Sequence, residues 1–184
     1  MWIDEVRGSP RTSSFTNTHA TLQGLPQGPA ATVATLREMR RLAREAIRAG
    51  DQKVRECALR LVADLPERRW GQQVARLHGY VRDAIRYVRD PVDLELVATP
   101  AKTLEYGQGD CDDKCTLLAA LLESIGHPAK FVALGFAGQP FSHVIVETRL
   151  GPRWLPLETI HVNGEAKPSG WSPPNPTSRY ELKV

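Results

Sequence analysis

Long apolar runs are missing from the 184-residue chain, and its first thirty residues hold no continuous apolar stretch of the leader-peptide kind. Neither a membrane span nor export is therefore expected. Cysteine is scarce: Cys57, Cys111 and Cys115 are an odd number with no repeating spacing. A disulfide framework is excluded as the source of stability, and a reducing, cytoplasmic setting is the simpler reading. Aromatic residues are few, at 7% of the chain, and they form no stacking platform beside the basic residues, which removes the main sequence signal for single-stranded nucleic acid. The net charge of +3 is too small to imply nucleic acid by itself.

The positive charge is nonetheless uneven. Thirteen arginines and one lysine fall within residues 37–89, and a helical region this basic can meet a phosphate backbone or an acidic partner. Glu38, Glu45, Glu56 and Asp83 are interleaved at helical spacing, so solvated, ion-paired helix faces are the better reading. Nucleic acid is not the expected partner.

What is present is an ordinary globular composition, 41% hydrophobic and 24% charged, in a chain long enough to bury one core. Residues 1–30 are rich in Ser, Thr, Gly, Pro and Gln without a sustained period. They read as an extended arm, held only where a neighbouring chain covers it. A helix is predicted from near Ala31, with Val33, Leu36, Met39, Ala43 and Ile47 on one face and Gly50 as its stop. Asp51 suits the N-cap of a second helix carrying Val54, Ala58, Leu61 and Val62. A third is predicted from Trp70 to Val88, closed by Pro91. Residues 92–110 show little regular pattern. A fourth helix is predicted from Cys111 to Gly126, with a buried stripe of Leu118, Leu121, Leu122 and Ile125 and with Gly126 as the C-cap.

Strand patterns then replace helical ones. Ala129 to Leu134 is short and apolar. Ser142 to Leu150 alternates, and Trp154 to Ile160 returns after the Gly151-Pro152 turn. Helices followed by an antiparallel sheet define the α+β class. One domain is expected over residues 31–163, helical over 31–90, with the cysteine helix at 111–126 and the sheet at 129–161. From Gly164 the chain reads as a Pro-rich polar tail.

The chemistry concentrates at Cys111. A nucleophilic thiol must ionise near neutral pH, and its ordinary value of about 8.5 is too high. The head of a helix favours negative charge through its unpaired amides and dipole. Those amides can also stabilise the oxyanion formed when a thiolate attacks a carbonyl. Gln108, three residues earlier, is a further candidate donor to that oxyanion. Asp110, Asp112 and Asp113 suit a helix start yet oppose thiolate formation, so a cationic imidazole must outweigh them. His143, on a strand of the sheet that the cysteine helix packs against, is the candidate. A two-residue hairpin loop at Gly151-Pro152 places His143 and Glu158 diagonally on one face, whereas a three-residue loop breaks the arrangement.

Three ordered motifs carry a resemblance. Gly109-Asp110-Cys111-Asp112-Asp113-Lys114 with the following Leu-rich helix and Gly126 to Val132, then Ser142-His143-Val144-Ile145-Val146-Glu147, then Trp154-Leu155-Pro156-Leu157-Glu158-Thr159, resemble the cysteine, histidine and third motifs of the transglutaminase-like superfamily. Ile85-Arg86-Tyr87 resembles the end of the helix that precedes them, and the likeness covers roughly residues 70–161. It implies a papain-like fold with a triad carried by Cys111, His143 and Glu158, where the family usually has Asp in the third place. It also implies thioester chemistry on peptide or glutamine-type amides, a protein or peptide substrate, and no cofactor or metal. Family members include protein cross-linkers, peptidases, deamidases and proteins that have lost activity. Similar short proteins occur among bacteriophage genes, so a structural or adaptor role in a virion, with neighbouring chains holding the two arms, is the alternative.

The other candidates have plainer readings. Cys115, one turn after Cys111, and Cys57 read as core; Cys115 could otherwise resolve an oxidised Cys111 or join a metal site with His143. His78 reads as a half-exposed packing residue and His127 as a loop position. His161 is a competitor to His143 that lies past the sheet pattern. Trp154 and Tyr106 read as site walls or core.

Overall fold

The computed structural model of the protein describes residues 19–21, 29–48, 52–90, 96–138 and 141–184. Most of the N-terminal arm, together with Gly50, Asp51 and Pro91, lies outside the described residues.

Helix α1 spans Pro29–Arg48, α2 Gln52–Val62 and α3 Trp70–Ala84. Each buries one stripe at helical spacing: Leu36, Met39 and Ala43; then Val54 and Ala58; then Val74, Leu77 and Val81. The opposite faces are polar and carry exposed ion pairs such as Arg41 to Glu38 and Glu45. The arginine-rich half is thus a solvated surface over at least this stretch.

All three helices pack on the cysteine helix α5, Cys111–Ser124, whose residues Asp113 to Leu122 are buried throughout. Burial on every side explains why α5 shows so weak an amphipathic pattern. Its end is fixed by Gly126 at φ +89°, with His127 N–H bonded to Leu122 O at 3.0 Å.

Helix α3 stops four residues before the predicted Val88. Ile85 is extended (φ −91°, ψ 112°), and Arg86–Tyr87 forms strand β2, parallel to β4 at Gln108–Gly109. Bonds from Arg86 N–H to Gly107 O (2.8 Å) and Val88 N–H to Gly109 O (3.0 Å) replace the helical ones. The buried Lys114 Nζ caps the helix end, donating to Arg82 O (3.1 Å) and Ile85 O (2.7 Å). The Ile85-Arg86-Tyr87 motif therefore lies past a helix, not within one.

Nor is the connection irregular. It holds β3 (Leu96–Ala98), which pairs with β1 (His19–Thr21) in the N-terminal arm, and helix α4 (Pro100–Tyr106). Thr99 caps α4 with its hydroxyl on Lys102 N–H, and Pro100 takes the first turn.

The main sheet has the order β7-β6-β5-β8, all antiparallel: β5 is Ala129–Gly135, β6 Phe141–Leu150, β7 Arg153–Leu157 and β8 Ser178–Lys183. Leu150 pairs with Arg153, so Gly151-Pro152 is a two-residue loop. The returning strand ends at Leu157, short of the predicted Ile160. Strand β8 corrects the reading of residues 164–184 as a tail. Tyr180 and Leu182 alternate inward beside Ala133 and Phe131, and without β8 the wholly buried β5 would be left as a bare edge.

These connections bring particular ends together. The end of α5 touches the start of β5, where Glu123 Oε1 accepts from Ala129 N–H at 2.7 Å. One turn into α5, Cys115 Sγ donates to Val144 O at 3.3 Å, in the row where Val144 pairs with Ala133. The head of α5, the start of β6 and the end of β7 therefore meet at one end of the sheet.

Tyr180→Ala removes a half-buried ring packed edge-on to Phe141. It is expected to cost about 2 kcal/mol in urea unfolding; a change near zero would mean that β8 is dispensable to the core.

Candidate active site

Cys111 is the first residue of α5, and Asp110 is its N-cap, accepting from Asp112 N–H (3.0 Å) and Asp113 N–H (3.2 Å) through Oδ1. Asp113 Oδ1 in turn accepts from Ala98 N–H at 2.6 Å. Gly109 is required by space: a Cβ there would lie 2.5 Å from Asp113 Cβ. The Gly-Asp-Cys sequence therefore joins β4 to α5 with the carboxylates turned inward as backbone acceptors, a structural use that the sequence left unread for Asp113.

The electrostatics around the thiol oppose ionisation. Cys111 is partly buried and donates to Asp112 Oδ1 at 3.4 Å. Burial, with Asp112 and Asp110 adding, pushes the thiol well above its ordinary value. Burial and the neighbouring Asp113 push Asp110 itself up to about 7, with Asp90 contributing.

His143 and Glu158 meet as the two-residue hairpin requires. His143 Nε2 lies 2.7 Å from Glu158 Oε2. Glu158 has no exposed surface, and its second oxygen accepts from Ile160 N–H at 3.2 Å. A carboxylate only accepts, so the ring proton belongs on Nε2, which leaves Nδ1 of the neutral ring as an acceptor. A β-bulge between Leu134 and Gly135 disturbs the register beside His143, where Ser142 is left over. Cys111 and His143 thus lie at the same end of the sheet, but the thiol's hydrogen bond goes to Asp112 and not to the ring.

Gln108 lies in β4, where its Oε1 accepts from Arg86 Nη2 at 2.5 Å, so its NH2 end is the one left to donate elsewhere. Cys115 is buried, bonded to Val144 O and 3.5 Å from Thr159 Oγ1, and Cys57 is buried as well. Among the described residues no group of three His, Cys, Asp or Glu is placed to hold a metal ion.

Two histidines sit deeper than their sequence contexts suggested. His127 is buried and bonded to Gln73 Oε1 at 2.9 Å. His78, read as half-exposed, is only 1% exposed, with Nε2 2.6 Å from Glu158 O. Burial holds both below the ordinary imidazole value. His161 is exposed and pairs with Asp83 at 3.1 Å, away from the His143–Glu158 pair. Trp154 lies under Lys130 Nζ, and Tyr106 is exposed beside Lys102.

A family model described as the transglutaminase-like superfamily matches residues 55–159. No curated protein matches the sequence. Among solved structures, the chain aligns with a proposed protease from Parabacteroides distasonis at a TM-score of 0.54 and 13% identity, over 78% of this chain and 30% of that one. That likeness shows the fold alone, and the chain spans less than a third of that structure's length. A proposed cysteine protease from Cytophaga hutchinsonii aligns at 0.47 and 16% identity, over 72% of this chain and 50% of that one. LapG of Legionella pneumophila aligns at 0.45 and 16% identity, over 66% and 72%. Neither of the last two scores is high enough to carry an argument.

Because the Asp110 carboxyl binds its proton more tightly folded than unfolded, its contribution to stability is lost as pH rises from about 4 to about 7. Asp110→Asn keeps an N-cap acceptor and removes the charge. It is expected to be more stable than the parent by on the order of 2 kcal/mol at about pH 8, with the gap closing as pH falls toward 4. Urea unfolding across that range checks it, and a gap independent of pH would contradict it.

Proposed function

Because this chain belongs to the transglutaminase-like superfamily, we propose that it is a thiol acyl-transfer enzyme acting on peptide or glutamine-type amides, as a cysteine peptidase or an acyl transferase. The observation that carries this reading is the part-buried His143–Glu158 pair at the end of the sheet where Cys111 heads its helix. Glu158 orients the ring and stabilises the imidazolium once it forms, and Nδ1 receives the Cys111 proton. The thiol leaves Asp112 for Nδ1 as sulfur attacks the carbonyl carbon. The Gln108 amide donates to the resulting oxyanion. The imidazolium then returns the proton to the departing amine, and water or a second amine resolves the thioester. Because the surroundings favour the protonated thiol, proton removal accompanies attack and does not precede it.

On the same reading residues 31–163 form the enzyme domain and β8 completes its sheet. The substrate is a protein or peptide, and the N-terminal arm meets a neighbouring chain, in a bacterial cytoplasm or in a phage particle. A second reading, in which the fold serves as a structural scaffold without chemistry, is favoured by the thiol's bond to Asp112 and by the carboxylates around it.

Intact-mass kinetics with iodoacetamide at about pH 7 separates the two. Cys111 is expected to be alkylated at least about tenfold faster in the parent than in His143→Ala, because a positioned base is worth about that or more. Equal rates in the two proteins would remove the enzyme reading and leave the scaffold.

A further inference from the structure

His78 is a buried imidazole that the proposed chemistry does not use, and its two nitrogens have definite partners. Nε2 lies 2.6 Å from the backbone carbonyl of Glu158, and Nδ1 lies 2.8 Å from Ser169 Oγ. A carbonyl only accepts, so Nε2 carries the proton. In the neutral ring Nδ1 then accepts from the Ser169 hydroxyl. Burial favours that neutral form. The ring is anchored on α3 between Leu77 and Val81, both fully buried, so its position is set by the helical core and not by a loop.

Glu158 needs such an anchor. The β6–β7 ladder ends at the pair Val146 and Leu157, so Glu158 is the first residue past the last sheet bond. Its carboxylate must nonetheless span the diagonal to His143, and the following residues leave the sheet. The contacts that hold this corner are His78 on the Glu158 carbonyl, the 3.5 Å approach of Thr159 Oγ1 to Cys115 Sγ, and the Ile160 N–H on the carboxylate itself. Of these, His78 is the contact that joins the backbone of Glu158 to a helix. Through Ser169 it also ties down the segment that crosses back toward β8, where Gly170 N–H bonds Pro156 O at 2.8 Å.

We propose that His78 is a positioning residue for the thiol site, fixing the backbone of Glu158 from behind so that its carboxylate holds the His143 ring in register with Cys111. This deepens the enzyme reading and rests on it for its kinetic consequence, but the Glu158–His143 geometry can be measured without any chemistry. His78 touches no reacting atom; it acts through Glu158.

The test uses His78→Leu, which keeps apolar bulk and loses both ring nitrogens, and His78→Gln, whose side-chain N–H reaches the place of Nε2–H. Two readouts are followed: the downfield proton resonance of the His143 N–H bonded to Glu158, and Cys111 alkylation by iodoacetamide at about pH 7. The resonance is expected in the parent and in His78→Gln and to be lost in His78→Leu. Alkylation is expected to slow about tenfold or more in His78→Leu, since displacement of a supporting group by about 1 Å costs up to about a hundredfold. It should recover in His78→Gln. In a His143→Ala background His78→Leu should slow it no further, because the ring through which it acts is absent.

Persistence of the resonance in His78→Leu overturns the proposal. So does an alkylation loss of equal size in the His143→Ala background, which marks general damage to packing. If His78→Leu does not fold, Ser169→Ala frees the other side of the ring; it should broaden the resonance with the circular dichroism unchanged, and a sharp, unshifted resonance overturns the proposal. Should the resonance follow the expected pattern while Cys111 reacts no faster than in His143→Ala, the enzyme reading fails and the positioning role stands.

Discussion

The site depends on a carboxylate with no exposed surface. Burying an ionised carboxyl group costs several kcal/mol unless its oxygens are bonded, and Glu158 meets that requirement with the His143 ring on one oxygen and Ile160 N–H on the other. The constraint runs both ways. The ring is held in one tautomer because the carboxylate can only accept, and the ring in turn satisfies one of the two buried oxygens. A Glu in this place, one methylene longer than an Asp, fits this geometry. Glu158 lies diagonal to His143, just beyond the last ladder pair, and the extra methylene helps to span a diagonal longer than the distance between facing residues.

Everything around that pair is arranged on α5. The helix is covered by the other helices on some sides and by the sheet on another, so the head of the helix is fixed with the precision of a core element and not of a loop. Its first turn is also where charge is concentrated. Asp110 caps the helix, Asp113 holds the β3 backbone, and Lys114 holds the end of α3. These residues brace the neighbouring backbone, and of the carboxylates around the helix head Asp112 and Asp110 make the thiol harder to ionise. A sequence motif that looks like an activated cysteine is, in its acidic part, a set of backbone braces.

Much of this was legible in the sequence. The helical stripes, the Gly126 cap and the hairpin at Gly151-Pro152 follow from local periodicity and turn chemistry, but the sequence left the loop at two or three residues, and the two-residue loop is the one that sets His143 diagonal to Glu158. Three features were not legible, each for a physical reason. The α3 periodicity continues past Ala84, but a parallel pairing with β4 outcompetes it, and such pairing has no local signal. Strand β8 hides in a polar segment because one of its faces carries Arg179, Glu181 and Lys183, and its inward residues are only Tyr180 and Leu182 between them. His78 gave no sign of its role because its partner, a backbone carbonyl eighty residues away, has no side-chain signature. The Thr99-Pro100 start of α4 was readable as a cap followed by a first-turn proline, but the helix it opens is too short to show a period.

The most direct measurement of the central claim is acylation of the protein by p-nitrophenyl acetate, followed by intact mass and peptide mapping. A Cys111–His143–Glu158 unit gives one acetyl group, on Cys111 as a thioester released by hydroxylamine, and none in Cys111→Ala or His143→Ala. Acetyl groups spread over lysines, or an equal yield on Cys111 when His143 is replaced, would contradict it.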